Sequence, residues 1–154
     1  MRKLLIITFS FIILTFSCEQ KNTVFSENFT ITNNTWNYDS LIQFKVNIKN
    51  INEFYQIRFR ISHHQKYAFS NLWIKFIVIA PDSSAIIDTI NIPLQDQQHR
   101  WLGKAIGKNW SLEYIYADSI KFRQIGVYNF LFQHIMRPDE LKYINKIGIT
   151  IKKN

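Results

Sequence analysis

Cysteine is almost absent from this chain, because among 154 residues only Cys18 carries a thiol. A single cysteine excludes a disulfide within the chain, so the folded part must be stabilised by buried apolar surface and not by covalent cross-links. Aromatic residues make up 16% of the sequence, and each Phe, Tyr or Trp can bury a large area. We therefore expect one folded region with one hydrophobic core.

Glycine is also scarce, with four residues, and the glycine-containing signatures of several enzyme classes are missing. The sequence contains no Gly-x-Ser-x-Gly nucleophile turn, no phosphate-binding loop and no dinucleotide fingerprint. The carboxylate pair of a glycoside hydrolase would have to come from a small acidic set whose spacing singles out no two members. These acids are Asp96, Glu113, Asp118, Asp139 and Glu140. The sequence predicts a protein that is not an enzyme, without catalytic residues or a cofactor.

Four histidines give no metal-binding pattern. His63 and His64 are neighbours, and adjacent residues of a strand point to opposite faces, so the two cannot ligate one metal without a bulge or turn. His99 and His134 lie far away in sequence. We interpret the histidines as loop or surface residues and predict no metal site.

The positive charge is moderate and scattered. The formal net charge is +8, and removal of Arg2 and Lys3 with a leader would lower it from +8 to +6. Lysine and arginine alternate singly with apolar residues, whereas a nucleic-acid binder usually collects them on one face. The pattern argues against nucleic acid as a partner and allows weak attraction to an anionic membrane surface.

The N-terminal apolar run is too short to cross a bilayer. It extends over 13 residues, from Leu4 to Phe16, where a spanning helix needs roughly 20. A basic start precedes it and Ser17-Cys18 follows, which is typical of a bacterial lipoprotein signal peptide. We expect residues 1–17 to be removed, Cys18 to carry palmitate or a similar acyl chain, and residues 18–26 to tether the domain to the membrane. An ordinary secretory signal and an uncleaved short anchor are the alternatives.

Period-two alternation dominates the rest of the chain and predicts half-buried strands. Phe44, Val46 and Ile48 alternate with polar residues, and the run Leu72 to Ile79 is so apolar that we expect a central strand covered on both faces. A short helix is predicted at Arg137 to Leu141, where Pro138 suits a first turn. About eight antiparallel strands over residues 27–154 predict an all-β sandwich, jelly-roll-like or immunoglobulin-like. The expected strands are 28–35, 43–49, 55–61, 72–79, 85–92, 110–116, 127–135 and 146–152.

Aromatic and polar residues in the predicted loops are the candidates for binding a partner. Tyr67 and Asn71 precede the apolar strand, and Arg100 and Trp101 lie in the long loop from Gln95 to Lys108. Tyr, Trp and Arg dominate binding hot spots because they combine contact area with a polar group. The alternative is structural, with Trp101 closing one end of the sandwich and Asn71 bonding its own turn.

Several blocks of the sequence together carry a resemblance. They are Tyr67 to Trp73, Trp101 to Lys104, Gly126 to Phe130, Gln133 to Arg137, Leu141, and Ile147 to Ile149. In this order, and together with the lipoprotein signal, they resemble the GldH family of gliding motility lipoproteins from Bacteroidetes. The resemblance covers roughly residues 50–152 and the signal. Upstream of Trp101 the sequence is Gln98-His99-Arg100, where the family leads us to expect a glycine.

The resemblance implies a non-enzymatic lipoprotein that works with other gliding and type IX secretion proteins, and it adds Arg137 to the interaction candidates. We expect an outer-membrane location that faces the periplasm, because only Glu19 is acidic just after Cys18; exposure at the cell surface is the alternative. A small-molecule ligand is not expected. The alternative hypothesis is a surface lipoprotein that binds a glycan or nutrient through exposed indoles, with Trp73, Trp101 and Trp110 as candidates. The third hypothesis is a hydrolase on the same β-sandwich scaffold.

Overall fold

The protein is described by a computed structural model over residues 22–154, and within that range the regular structure is almost entirely antiparallel β-strand. The predicted signal peptide and the lipid attachment site Cys18 lie outside the described residues. The strands are β1 (Thr23–Thr30), β2 (Thr35–Asn37), β3 (Ile42–Ile48), β4 (Tyr55–His64), β5 (Asn71–Ile79), β6 (Ala85–Pro93), β7 (Lys104–Ile106), β8 (Asn109–Ile120), β9 (Gly126–His134), β10 (Glu140–Lys142) and β11 (Ile144–Lys153).

Two sheets pack face to face. The five-stranded sheet has the order β1-β11-β4-β8-β7, and the four-stranded sheet has the order β3-β9-β5-β6. A small third sheet pairs β10 with β2. The prediction of an all-β antiparallel sandwich is confirmed, with eleven strands in residues 22–154 where about eight were expected.

The alternation read from the sequence places the core between the sheets. In β3 every second residue is buried, and in β4 the apolar residues Tyr55, Ile57, Phe59 and Ile61 are at most 1% exposed. The Phe59 ring meets rings of the opposite sheet edge-on, with centroids 4.8 Å from Phe76 and 4.9 Å from Phe132. Aromatic rings packed at these distances are worth about 1 kcal/mol beyond the area they bury.

The polar residues of β4 form the outer face of the five-stranded sheet. Arg58 and Arg60 both contact Glu113 on β8, and Arg60 Nη2 lies 2.8 Å from Glu113 Oε1. The arginine hydrogen bonds and charges lower the pKa of Glu113. Because the group is solvent-exposed, the pair orders the surface and adds little to stability.

The expectation that the apolar strand is covered on both faces is wrong. One face of β5 enters the core through Leu72, Ile74 and Phe76, but Trp73 on the other face is 39% exposed. Ile77 shares that outer face with Leu131 of β9 and Ile87 of β6, which stand directly beside it. No third layer covers this sheet within residues 22–154, so its outer apolar residues face solvent.

The helix predicted at Arg137 to Leu141 is also wrong. Glu140–Lys142 is a strand that pairs with β2, with Leu141 opposite Trp36. Leu141 is 1% exposed, and the gain from burying it against the indole outweighs a local N-terminal helix signal. The one helical segment in residues 22–154 is a 3-10 turn at Thr32–Asn34.

The predicted first strand, 28–35, also has other boundaries. The strand β1 starts at Thr23 and pairs with β11 from Thr23 to Thr30, after which the 3-10 turn begins. Four residues of the segment expected to be a tether, 23–26, therefore lie in the sheet. The polar connection between Cys18 and the sandwich is correspondingly short.

The sandwich has two unlike ends. We call the end where β1 begins the tether end; it also holds loops 49–54, 81–84 and 121–125 and residues 152–154. We call the opposite end the far end; it holds the small sheet and loops 65–70, 94–103 and 135–139. Residues 22–154 contain no helix long and apolar enough to cross a membrane.

Candidate functional site

All five predicted interaction residues lie at the far end. Tyr67 lies in the loop from β4 to β5 and Asn71 begins β5, whereas Arg100 and Trp101 lie between β6 and β7, and Arg137 lies between β9 and β10. These loops come together because antiparallel strands return to the same edge of the sandwich. The structure thus places residues that are 70 positions apart in sequence on one end of the molecule.

Three of the five residues point into the protein or bond to it. Tyr67 is 4% exposed and its hydroxyl donates to the Asn71 carbonyl at 3.1 Å. Trp101 is half-buried against His63, with ring centroids 4.5 Å apart. Asn71 Nδ2 donates to Asn91 Oδ1 at 2.8 Å. Burial raises the pKa of Tyr67, so it stays protonated. These contacts support a structural role for Tyr67 and Trp101. The Asn71 side chain bonds to Asn91 of the neighbouring strand β6 and not to its own turn.

Arg100 and Arg137 face solvent. Asp96 organises the loop of Arg100, because its Oδ1 accepts the backbone N–H groups of Gln98 and Arg100, each at 2.9 Å. The Arg100 side chain, 76% exposed, lies 2.7 Å from Asp96 Oδ2. The backbone N–H of Arg100 is the main cause of the lowered Asp96 pKa. Arg137 is exposed in the bend after β9. The two guanidinium groups are the predicted candidates that a partner can reach.

Two histidines are buried at this end, so the interpretation of them as loop or surface residues is wrong. His63 and His134 are 0% exposed. His134 lies between Trp36 and Tyr38, with ring centroids 5.4 and 5.9 Å away, and its ring nitrogens make no hydrogen bond of normal geometry. Burial lowers the pKa of both histidines. The alternation along β4 and β9 indicates this burial, because His63 and His134 occupy the same alternate positions as the buried apolar residues of their strands.

The far end also concentrates backbone strain. Of the five non-glycine residues with positive φ in residues 22–154, four lie here, and they are Asn33, Asn34, His99 and Tyr143. Asn adopts this conformation readily, but a tyrosine at φ 71° is uncommon. The Tyr143 N–H donates to the Asn34 carbonyl at 2.6 Å, which holds the turn. Strained residues that surrounding contacts hold in place cluster at functional sites.

A polar pocket lies at the same end of the sandwich. It has a volume of about 480 Å³ and is lined by Tyr38, Asp39, Asp139 and Glu140, among others. Tyr38 is 42% exposed. No group of three or more metal-ligating side chains occurs in the part of the chain that the structure describes. The far end therefore offers aromatic, amide and charged groups for contact with a partner.

The three indoles proposed for glycan stacking do not form one platform. Trp73 lies on the outer face of the four-stranded sheet. Trp110 stands directly opposite His63 and so shares the inner face of the other sheet. Trp101 packs on the same histidine. A sugar ring could not stack on all three.

A cleft at the tether end escaped the sequence analysis. It has a volume of about 870 Å³ and separates the free edges of β6 and β8. Its apolar lining includes Tyr116, Phe122, Tyr128 and Phe130, and Lys121 stands at its rim. The lining comes from both sheets, so no local pattern could reveal it.

Several blocks that carried the family resemblance serve folding. Gly103 has φ +88°, and a Cβ added there would lie 2.3 Å from the Ser111 carbonyl oxygen. At Gly148 an added Cβ would lie 2.9 Å from the Glu27 carbonyl oxygen of β1. Tyr128, Phe130 and Leu141 are at most 5% exposed. These positions require small or apolar residues because of packing.

One solved structure matches weakly. It is titled "Structure of infectious bursal disease virus Gx strain" and has 12% identity and a TM-score of 0.33. The match covers 84% of this chain and 32% of that chain. A likeness of this degree supports no functional argument.

Comparison of the sequence with known proteins gives the family. Residues 23–151 match the family described as "GldH lipoprotein", which is most of the region that forms the sandwich. The "Gliding motility lipoprotein GldH homolog" of Christiangramia forsetii is 28% identical over 153 residues, covering 95% of this chain and 93% of the relative. The chain described here therefore belongs to the GldH lipoprotein family.

Proposed function

We propose that this protein is a non-enzymatic lipoprotein of the outer membrane, acylated at Cys18 and facing the periplasm, and that it is a structural or assembly component of the gliding motility and type IX secretion machinery. The observation that carries the proposal is the family match over residues 23–151. The relative from Christiangramia forsetii is named as a gliding motility lipoprotein. The proposal extends that role to this chain.

The far end is the proposed contact surface for the machinery. Arg100 and Arg137 are exposed there, close to turns with positive φ. Exposed arginine is a frequent hot-spot residue, because its planar group can donate several hydrogen bonds to a partner carboxylate. A lipid-anchored domain is confined to the membrane, which raises its effective concentration for membrane-bound partners without any additional contact.

The first experiment tests the motility role in the cell. The gene is deleted in a gliding host that expresses this protein, and colony spreading is compared after complementation with wild type or with Cys18→Ala. We expect wild type to restore spreading and Cys18→Ala to fail, although its folded domain is unchanged. Unimpaired spreading of the deletion strain would contradict the motility role.

The second experiment tests the partner surface. The tethered protein is purified from detergent-solubilised membranes as wild type, as Arg100→Ala/Arg137→Ala, and as the control Lys45→Ala/Lys75→Ala on the outer face of β3 and β5. We expect secretion or motility proteins with wild type and the control, and their loss with the arginine variant. Elution of a bound oligosaccharide with no protein partner would favour the glycan-binding alternative.

A further inference from the structure

The connection between the lipid and the sandwich is short enough to fix which surface meets the membrane. This step rests on the proposed acylation of Cys18. Only residues 19–22 separate Cys18 from β1, which starts at Thr23. Fully extended, a chain gains at most about 3.6 Å per residue, so Thr23 stays within roughly 18 Å of the acylated residue in any conformation. The tether end must therefore lie close to the bilayer.

The charges of the tether end suit an anionic surface. Lys49, Lys121 and Arg123 are exposed and form no ion pair with a carboxylate in the described part of the chain. Lys152 lies half-buried at the same end, and Lys153 pairs with Glu53 at 3.5 Å.

The acids of this end are already engaged. Asp82 accepts hydrogen bonds from the Ser84 N–H and hydroxyl, and Asp118 accepts from Gln56. Glu53 pairs with Lys153. Asp82 and Asp118 keep their negative charges, so the basic residues Lys49, Lys121, Arg123, Lys152 and Lys153 exceed the acids Glu53, Asp82 and Asp118 by two.

Apolar side chains project from two of these loops, at Phe54 and Ile125, and from the start of β6, at Ile86. Phe54 is 49% exposed, Ile125 is 61% exposed and Ile86 is 68% exposed. The Lys121 ammonium lies 4.6 Å from the centre of the Phe54 ring, so a cation and an aromatic ring are held side by side. A phenyl ring beside a lysine fits the boundary between headgroups and acyl chains, because the apolar ring can enter the acyl layer while the ammonium stays at the headgroups.

The far end lies beyond the reach of the headgroup charges. The ten residues of β4 run from one end of the sandwich to the other, a rise of roughly 30 Å at about 3.3 Å per residue. Charge interactions are screened over about 8 Å at physiological ionic strength. Carboxylates and basic residues also mix at the far end, where Asp39, Asp139 and Glu140 share a pocket.

We propose that the tether end is a membrane-contacting surface, on which Lys49, Lys121 and Arg123 bind anionic headgroup phosphates while Phe54, Ile86 and Ile125 enter the interfacial layer. The sandwich then stands upright on the bilayer and presents the far end, with Arg100 and Arg137, to partners. The occupant is a lipid surface, because the lipid-bearing residue is covalently close to this end.

The test measures the orientation of the full acylated protein in vesicles of phosphatidylethanolamine and phosphatidylglycerol. Acylation blocks the Cys18 thiol, so a single new cysteine can be labelled with an environment-sensitive dye. Ile125→Cys reports on the tether end. The matched control Ile106→Cys reports on the far end, where Ile106 is 69% exposed. Lipids with a spin label near the headgroup quench a dye that touches the bilayer.

We expect strong quenching at position 125 and none at position 106. Reversing two charges with Lys121→Glu/Arg123→Glu should lower the ratio of membrane-contacting to detached orientations by at least about 25-fold, since the loss of each cation near an anionic surface costs about fivefold and the added carboxylates are repelled as well. Lys104→Glu/Lys108→Glu at the far end should change nothing. Equal quenching at the two positions, or no quenching at 125, would overturn the orientation.

Two further measurements separate this inference from the proposed function. Mass spectrometry shows whether Cys18 is acylated, and flotation shows whether the protein stays with the vesicles. An acylated, floating protein without quenching at 125 would refute the orientation and leave the lipoprotein role intact. An unmodified Cys18 in a protein that does not float would refute both.

Discussion

The two ends of the sandwich are built in different ways. The far end is closed by buried aromatic and histidine rings, with Trp36 and His134 each at most 1% exposed. The loops of the tether end bury one ring, Phe122, which is 7% exposed and packs against Tyr55 and Tyr128, but exposed lysines and apolar side chains such as Phe54 surround it. Packed rings from several loops fix the shape of the far end, whereas the tether end leaves its outermost side chains available to a soft surface. This difference suits one end to a specific protein contact and the other to lipid.

Truncation of an aromatic residue at each end is the most sensitive test of this difference. Trp36 is 1% exposed, and its Nε1 donates to the Ser40 carbonyl at 2.9 Å. We expect Trp36→Ala to lower the free energy of unfolding by about 4 kcal/mol, because it leaves a cavity beside His134. Phe54→Ala at the tether end should cost no more than about 0.5 kcal/mol. Urea denaturation measures the free energy of unfolding of both variants. Similar decreases in the two variants would show that the two ends are equally packed.

A glycine pair tests the tight backbone of the far end. Gly103→Ala places a methyl group against the Ser111 carbonyl and requires a left-handed alanine. We expect it to lower the free energy of unfolding by about 3 kcal/mol. Gly107→Ala is the matched control, because φ there is +62° and no atom lies within 4 Å of the added Cβ. It should cost about 1 kcal/mol. Thermal unfolding of both variants measures these changes. Equal losses in the free energy of unfolding would show that the contact with the Ser111 carbonyl is unimportant.

Alternation in the sequence predicts the core better than it predicts the periphery. It identifies β3, β4 and β9 because each strand has one buried face along its whole length. The three-residue strands β2, β7 and β10 show no period, and they form only because a partner from elsewhere in the chain pairs with them. The helix signal at Pro138 failed for the same reason, since the burial of Leu141 depends on Trp36, about a hundred residues earlier.

The sequence predicted which loops hold the candidate site, but it did not predict which of their side chains are exposed to a partner. Residue type singled out Tyr67, Trp101 and Arg100, and all three lie at one end of the molecule. Sequence could not show that Tyr67 is buried while Arg100 is exposed, because burial depends on the facing loop. The cleft between β6 and β8 was missed because its lining comes from both sheets.

Buried histidines should make stability depend on pH. Burial holds the pKa of His134 below its ordinary value near 6.5, so below that pH the unfolded chain binds a proton that the folded protein does not. The free energy of unfolding is then highest above pH 6.5 and falls as the pH drops, by up to about 1.4 kcal/mol per pH unit for each such histidine.

Urea denaturation between pH 7.5 and 5.5 measures the slope. His134→Phe should reduce it, and His63 should account for part of what remains, because its pKa is also lowered by burial. His99→Asn is the control at an exposed site where φ is positive. An unchanged slope in His134→Phe would mean that His134 takes up protons equally in both states.

The smallest effect on stability, with the largest effect on recognition, is expected for the two arginines. Arg100→Ala/Arg137→Ala removes exposed side chains, so the unfolding midpoint should stay close to that of wild type. Capture of motility or secretion proteins from membranes should nevertheless be lost, because the partner would lose both guanidinium groups. Lys121→Glu/Arg123→Glu should show the reverse, with altered membrane orientation and retained capture by solubilised protein. If the arginine variant captured its partners normally, recognition would have to lie elsewhere on the far end, with Tyr38 and its neighbouring carboxylates as the next surface to alter.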